Sequence, residues 1–303
     1  MIFNLEESVN QQIILPSEFA VEFFIKREDK IHTHISGNKY RKLKYNLKEA
    51  ERLDFKTLLT FGGAYSNHIS AVASVGVTFG FKTIGVIRGE ELAEKIQDNP
   101  TLRFAQSCGM EFKFVSRSEY RRKISEEFLN DLKKEFGVFY LIPEGGTNEL
   151  AIKGCEEILT DSDKNFNYVC CAVGTGGTIS GLINSANSDQ KILGFPALKG
   201  AFLTKDISKF VNRNNWELIV DYHFGGYAKI NNELITFINQ FKKEHRILLD
   251  PIYTGKMMYG ILDMIYKNEF PQGSKILAIH TGGLQGVEGM NMRLKEKKLQ
   301  IIE

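Results

Sequence analysis

The sequence predicts an α/β protein of two domains, each with mostly parallel sheets flanked by helices, and a ligand in the cleft between them. Three observations lead there. Short apolar runs alternate with longer helical patterns along the chain. Several runs, such as Tyr168 to Val173, are apolar throughout, as strands covered on both faces are. Paired or clustered glycines follow three of them, at Gly62-Gly63, at Gly174, Gly176 and Gly177, and at Gly282-Gly283.

In chain order, the apolar runs place strands at 21–25, 57–61, 83–87, 111–115, 139–142, 168–173, 191–195, 217–220 and 275–280. Helical periodicity places helices at 40–53, 67–79, 100–107, 119–136, 149–160, 178–186, 231–243, 256–267 and 285–294. The strand–helix units between about Leu43 and Ile142 make a smaller domain, 43–145. Residues 1–42 with 146–303 make the larger one. Ligands in such folds sit at the C-terminal ends of strands.

Composition narrows the class. The chain has 303 residues, 43% of them hydrophobic, which is enough for a substantial core. Lys and Arg number 39 against 37 Asp and Glu, so the net charge of +2 gives no reason to expect nucleic acid or a membrane as partner. No apolar run reaches the ~18 residues of a membrane span. Met1 to Gln12 carries Glu6 and Glu7 and lacks the pattern of a signal peptide, so the expected location is cytoplasmic. Cys108, Cys155, Cys170 and Cys171 form no C-x-x-C pair and have no histidine at metal-ligand spacing. Cys170 and Cys171 are expected as reduced core thiols.

Five segments carry chemistry. In Ser36-Gly37-Asn38-Lys39-Tyr40-Arg41-Lys42, Lys39 stands where a turn enters a helix. The helix dipole, Arg41 and Lys42 disfavour its ammonium, as a Schiff-base lysine requires. Read alone, the segment is equally a solvated basic helix start. Gly62-Gly63-Ala64-Tyr65-Ser66-Asn67-His68 follows a strand and opens a helix that Ser66 or Asn67 caps. It also reads as an ordinary turn, with His68 a satisfied helix histidine. Gly174, Thr175, Gly176, Gly177 and Thr178 form a glycine loop at a helix start, a natural phosphate nest. The loop lacks the P-loop lysine and the dinucleotide spacing. The stretches from Asp250 to Lys256 and from His280 to Gly283 are weak by themselves.

Together these segments resemble the pyridoxal 5′-phosphate (PLP) dependent family of 1-aminocyclopropane-1-carboxylate (ACC) deaminases and D-cysteine desulfhydrases. The ordered set is SGNK-x-RKL, GG-x-x-SNH, PEGG-x-N, GTGGT, DP-x-YTGK and HTGG, spread over nearly the whole chain. The resemblance implies the tryptophan-synthase-β-like fold with PLP between two domains. It implies that Lys39 bears the cofactor, that Asn67 meets its ring hydroxyl, and that Gly174, Thr175, Gly176, Gly177 and Thr178 hold its phosphate. It places Ser66, Tyr227 and Tyr253 at the substrate. Thr254 stands where the family's ACC deaminases carry Glu, and so is expected opposite the pyridine nitrogen, with Thr281 as a second partner. Such a threonine favours β-elimination from D-cysteine or a related D-amino acid, giving pyruvate, ammonia and sulfide. The alternatives are ACC ring opening to 2-oxobutyrate and ammonia, a PLP-binding protein without turnover, and, more distantly, a nucleotide-binding protein that uses the glycine loop. The family also implies a homodimer acting on a small amino acid. Tyr65, where desulfhydrases often have Gln, is expected to reshape the pocket.

Overall fold

The computed structural model describes residues 3–35, 37–199 and 202–303. Ser36 of the lysine-bearing motif lies outside the described residues. The strands are β1 (Asn10–Ile13), β2 (Glu22–Lys26), β3 (Thr57–Gly62), β4 (Lys82–Arg88), β5 (Glu111–Val115), β6 (Tyr140–Ile142), β7 (Tyr168–Val173), β8 (Lys191–Pro196), β9 (Trp216–Leu218) and β10 (Lys275–Ile279). The helices are α1 (Asn38–Arg52), α2 (Asn67–Phe79), α3 (Pro100–Ser107), α4 (Arg117–Arg121), α5 (Glu126–Phe136), α6 (Glu149–Glu156), α7 (Gly177–Ser185), α8 (Phe202–Ser208), α9 (Asn232–His245), α10 (Thr254–Tyr266) and α11 (Gly286–Glu296).

Two sheets result. One runs β1-β2-β10-β7-β8-β9, the other β5-β4-β3-β6. Every pairing is parallel except β1 with β2. The mostly parallel α/β class is therefore as expected. Strand β7 shows why its sequence is apolar throughout. Cys170 and Cys171 are both fully buried, yet belong to separate cores on opposite faces of the sheet, because successive strand residues point to opposite sides. Both are free thiols, and burial pushes Cys171 up to about 12 and Cys170 further up, so neither is a nucleophile at neutral pH.

Several boundaries depart from expectation. Strand β1 was not anticipated: Asn-Gln-Gln-Ile is polar, and as an edge strand it needs only one good face. The span 119–136 is not one helix. Ser116 opens α4 with a capping box, and Ser125 caps α5 by accepting from Phe128 N. Helix α6 stops at Glu156 rather than 160, because Asp163 captures the Thr160 amide and starts a new turn. Helix α8, of seven residues, is too short to show a periodic pattern in the sequence. No described helix is long and apolar enough to cross a membrane.

The parallel register positions the site. Strands β2, β10 and β7 run side by side in the same direction, so the loops that leave β7 and β10 emerge on one edge. Helix α1 is anchored against that edge: Asn38 N reaches the Thr281 carbonyl at 3.4 Å. Gly37 makes this approach possible. It has φ +58°, and a Cβ there would lie 2.1 Å from the Thr281 oxygen.

Candidate active site

Lys39 occupies the second position of α1. Its amine is lowered to about 7, first by burial and then by the charge of Lys42, against an opposing pull from Asp250. The expected depression is present, but one cause needs correction. Arg41 does not supply it, because its guanidinium turns to Glu28, with bonds of 2.9 and 2.8 Å to the two carboxylate oxygens. Burial, which the sequence did not reveal, is the larger cause.

This shift has a measurable consequence. Below the pKa each pH unit changes the free-amine fraction tenfold. The rate at which Lys39 captures an aldehyde should therefore rise about tenfold between pH 5 and 6 and level off above about pH 8. Surface lysines would keep gaining reactivity to about pH 10. Site-resolved mass spectrometry after borohydride trapping reads the difference, and a Lys39 profile that climbs to pH 10 would contradict it.

The glycine loop lies beside α1. Gly176, at φ +86°, is the N-cap of α7, and Thr178 Oγ1 accepts from Asn38 Nδ2 at 2.9 Å. Lys42, three residues after Lys39 on the same helix face, is 2% exposed. Its Nζ donates to the Gly145 carbonyl (3.0 Å), to Thr147 Oγ1 (3.1 Å) and to Thr175 Oγ1 (3.4 Å). A buried ammonium whose partners are all neutral, next to a helix N-terminus, suits a phosphate. The residues present thus fit the cofactor that the sequence resemblance implies. Asn38, Lys42 and Thr147 were not among the expected site residues. The repeat of lysine at i and i+3 was the one available signal.

Helix α2 faces this group. Ser66 Oγ caps it, accepting from Ile69 N at 3.3 Å, which leaves its hydroxyl proton free to donate. The Asn67 amide lies against Gly283 and Gly286, so it meets the end of β10 and the start of α11. The Tyr65 ring is seated on Gly289 of α11, near Pro100.

His68 corrects another expectation. It is not a fully satisfied histidine. Thr60 Oγ1 donates to the Ile142 carbonyl (2.9 Å), so it must accept from His68 Nε2–H (2.9 Å). The hydrogen-bond network thereby assigns the Nε2–H tautomer and leaves Nδ1 buried without a partner among the described residues. Burial, with Lys39 and Lys42 nearby, holds the ring well below its ordinary pKa and neutral.

Thr254 is bonded within its own turn. It is fully buried, and its hydroxyl donates to Asp250 Oδ2 (2.8 Å) while accepting from Asp250 N (2.9 Å). Its single proton is committed to Asp250 inside the loop. Asp250 is equally occupied, accepting also from the amides of Ile252, Tyr253 and Thr254. Thr281 Oγ1, by contrast, makes no hydrogen bond among the described residues, although the residue is only 7% exposed.

The same Asp250 turn seats Tyr253, whose ring packs on Gly174; a Cβ there would lie 3.1 Å from Cε1. Burial raises the Tyr253 phenol well above its usual pKa, so it is a proton donor and not a base. Tyr227 stands edge-on to it, ring centroids 6.3 Å apart, and is 43% exposed. Two open surface cavities, one beside Tyr222 and one beside Lys26 and Arg41, contain none of the expected site residues. Convergent polar groups, not cavity size, mark the site.

Comparison with known proteins gives the family and the fold. The family model described as pyridoxal-phosphate dependent enzyme matches residues 14–282. A Pyrococcus horikoshii protein provisionally named ACC deaminase is 32% identical over 292 residues, covering 89% of this chain and 86% of its own. The Arabidopsis thaliana bifunctional D-cysteine desulfhydrase/ACC deaminase is 30% identical over 297 residues, covering 88% of this chain and 74% of its own. A crystal structure titled as an ACC deaminase homologue superimposes with TM-score 0.79 and 30% identity, covering 96% of this chain and 92% of that one.

Proposed function

The chain belongs to the pyridoxal-phosphate dependent enzymes, alongside ACC deaminases and D-cysteine desulfhydrases, and on that premise we propose that it is a lyase acting on D-cysteine or a related D-amino acid with a β leaving group. One observation supports this reading above ACC ring opening. Where the family's ACC deaminases carry Glu, this chain has Thr254, and the neighbouring Asp250 carboxylate is fully engaged. The hydroxyl of Thr281, which has no hydrogen bond among the described residues, would be the partner of the ring nitrogen. A neutral partner leaves that nitrogen unprotonated, and expulsion of a good leaving group is then the easier course.

In this reading Lys39 would hold the cofactor, the Gly174, Thr175, Gly176, Gly177 and Thr178 loop would hold its phosphate with the charge of Lys42 beside it, and Asn67 and Thr281 would hold its ring. PLP, when bound, makes the α-carbon of an attached amino acid acidic by accepting its electrons. The Lys39 amine, free near neutral pH, takes the α-proton. The Ser66 hydroxyl and the first amides of α2 hold the substrate carboxylate. Tyr253, kept protonated by burial, donates to the departing sulfur, with Tyr227 beside it. Overall, D-cysteine and one water become pyruvate, ammonia and hydrogen sulfide.

The purified enzyme, given D-cysteine, L-cysteine, β-chloro-D-alanine and ACC, should release pyruvate from D-cysteine and from the chloro compound. Formation of 2-oxobutyrate from ACC with no pyruvate from any other substrate would overturn the lyase reading. ACC deamination is the second reading, favoured by the names of the relatives. The two threonines are separable by mutation. Thr281→Val should move the visible cofactor band and lower kcat about tenfold. Thr254→Val should instead cost about 1–2 kcal/mol of stability, from the lost Asp250 bonds, and leave the band in place. The opposite pattern would restore Thr254 as the nitrogen's partner.

A further inference from the structure

The segment that begins at Asp250 ends on Lys256, which the chemistry above does not use. Its side chain is 2% exposed, and its Nζ donates to two backbone carbonyls, those of His223 (2.9 Å) and Gly226 (2.8 Å). It makes no other hydrogen bond among the described residues. Burial holds this ammonium down to about 8, with Asp250 opposing the drop. An apolar side chain of equal volume would fill the space without that cost. The charge therefore serves the segment whose carbonyls it holds.

That segment is the loop between β9 and α9. Phe224 (φ 52°), Gly225 (89°), Gly226 (115°) and Ala228 (53°) all lie in the left-handed region, and two of them have side chains. Such backbone persists only where its surroundings hold it. Gly225 N donates to the His223 Nδ1 (2.9 Å), so the imidazole supports the loop from its own side. In the middle of the loop stands Tyr227, edge-on to Tyr253. Tyr253 precedes Lys256 by three residues, and its carbonyl accepts from Met257 N at 3.1 Å, the first turn of α10. One helix start thus carries both a fixed tyrosine and the group that grips the other tyrosine's loop.

We propose that Lys256 is a positioning residue that straps the 223–228 loop to the start of α10 and so sets Tyr227 against Tyr253 at the substrate. The reference to substrate rests on the lyase reading; the strap itself does not. Hydrogen–deuterium exchange on the PLP-loaded enzyme tests the strap. In Lys256→Met the amides of 224–229 should exchange at least about tenfold faster, with α1, α7 and the sheets unchanged. Unchanged exchange in that loop would overturn the proposal. With D-cysteine, Lys256→Met should lower kcat about tenfold, and should cause no further loss when added to Tyr227→Phe. Fully additive losses would show that Lys256 does not act through Tyr227. Should Lys256→Met fail to fold, Lys256→Gln on its shorter stem is read for the same exchange. If no amino acid is turned over, the lyase reading falls while the exchange result still decides the strap.

Discussion

Lys39→Ala should abolish covalent cofactor retention and lower turnover by about a thousandfold or more. No neighbouring amine is placed to take over. Lys42 Nζ is held by the Gly145 carbonyl and Thr147, and Lys256 Nζ is bound to His223 and Gly226. Lys39 alone combines a depressed pKa with a side chain free of hydrogen-bond partners among the described residues. The check is a visible spectrum before and after borohydride, followed by peptide mapping. Wild-type protein should carry the reduced label at Lys39, and the variant should carry none. A label on Lys42 in the wild type, or undiminished turnover in the variant, would remove Lys39 from its assigned role and the enzyme reading with it.

The second large effect concerns stability. Glu28 is 0% exposed and binds Arg41 through both oxygens, while its backbone carbonyl accepts from Gly37 N. Glu28→Ala strands the Arg41 guanidinium, whose nearest remaining carboxylate, Glu157, is 3.8 Å away. Breaking one side of a buried pair costs about 3–5 kcal/mol. Denaturant unfolding should show a loss in that range, and removing Arg41 as well, in Glu28→Ala/Arg41→Met, should recover part of it. A loss under about 1 kcal/mol would mean that Glu157 compensates. The same variant should weaken PLP retention, because the pair fixes the turn that precedes Lys39.

The sequence made much of the site legible because its chemistry is local. A glycine loop that opens a helix, a serine that caps one, and a lysine at a loop-to-helix junction each show in a few adjacent residues. The fold class was legible for a similar reason: a strand buried on both faces must be apolar throughout, and β7 is. Strand β1 leaves no apolar pattern because an edge strand may be polar, and α8 leaves none because it is short.

Other features depended on distance. Nothing in the order of residues shows that Lys42 ends among Gly145, Thr147 and Thr175, more than a hundred positions away. Nor does it show that the proton of Thr254 goes to Asp250 and leaves Thr281 as the unengaged hydroxyl. The sequence by itself determined the fold class, the family's cofactor and the motifs that make up the candidate site. Tertiary structure decided which of those residues have a free proton or lone pair, and why Lys39 is depressed. The reason is physical: motif identity is carried by neighbours along the chain, whereas desolvation and hydrogen-bond satisfaction are set by neighbours in space.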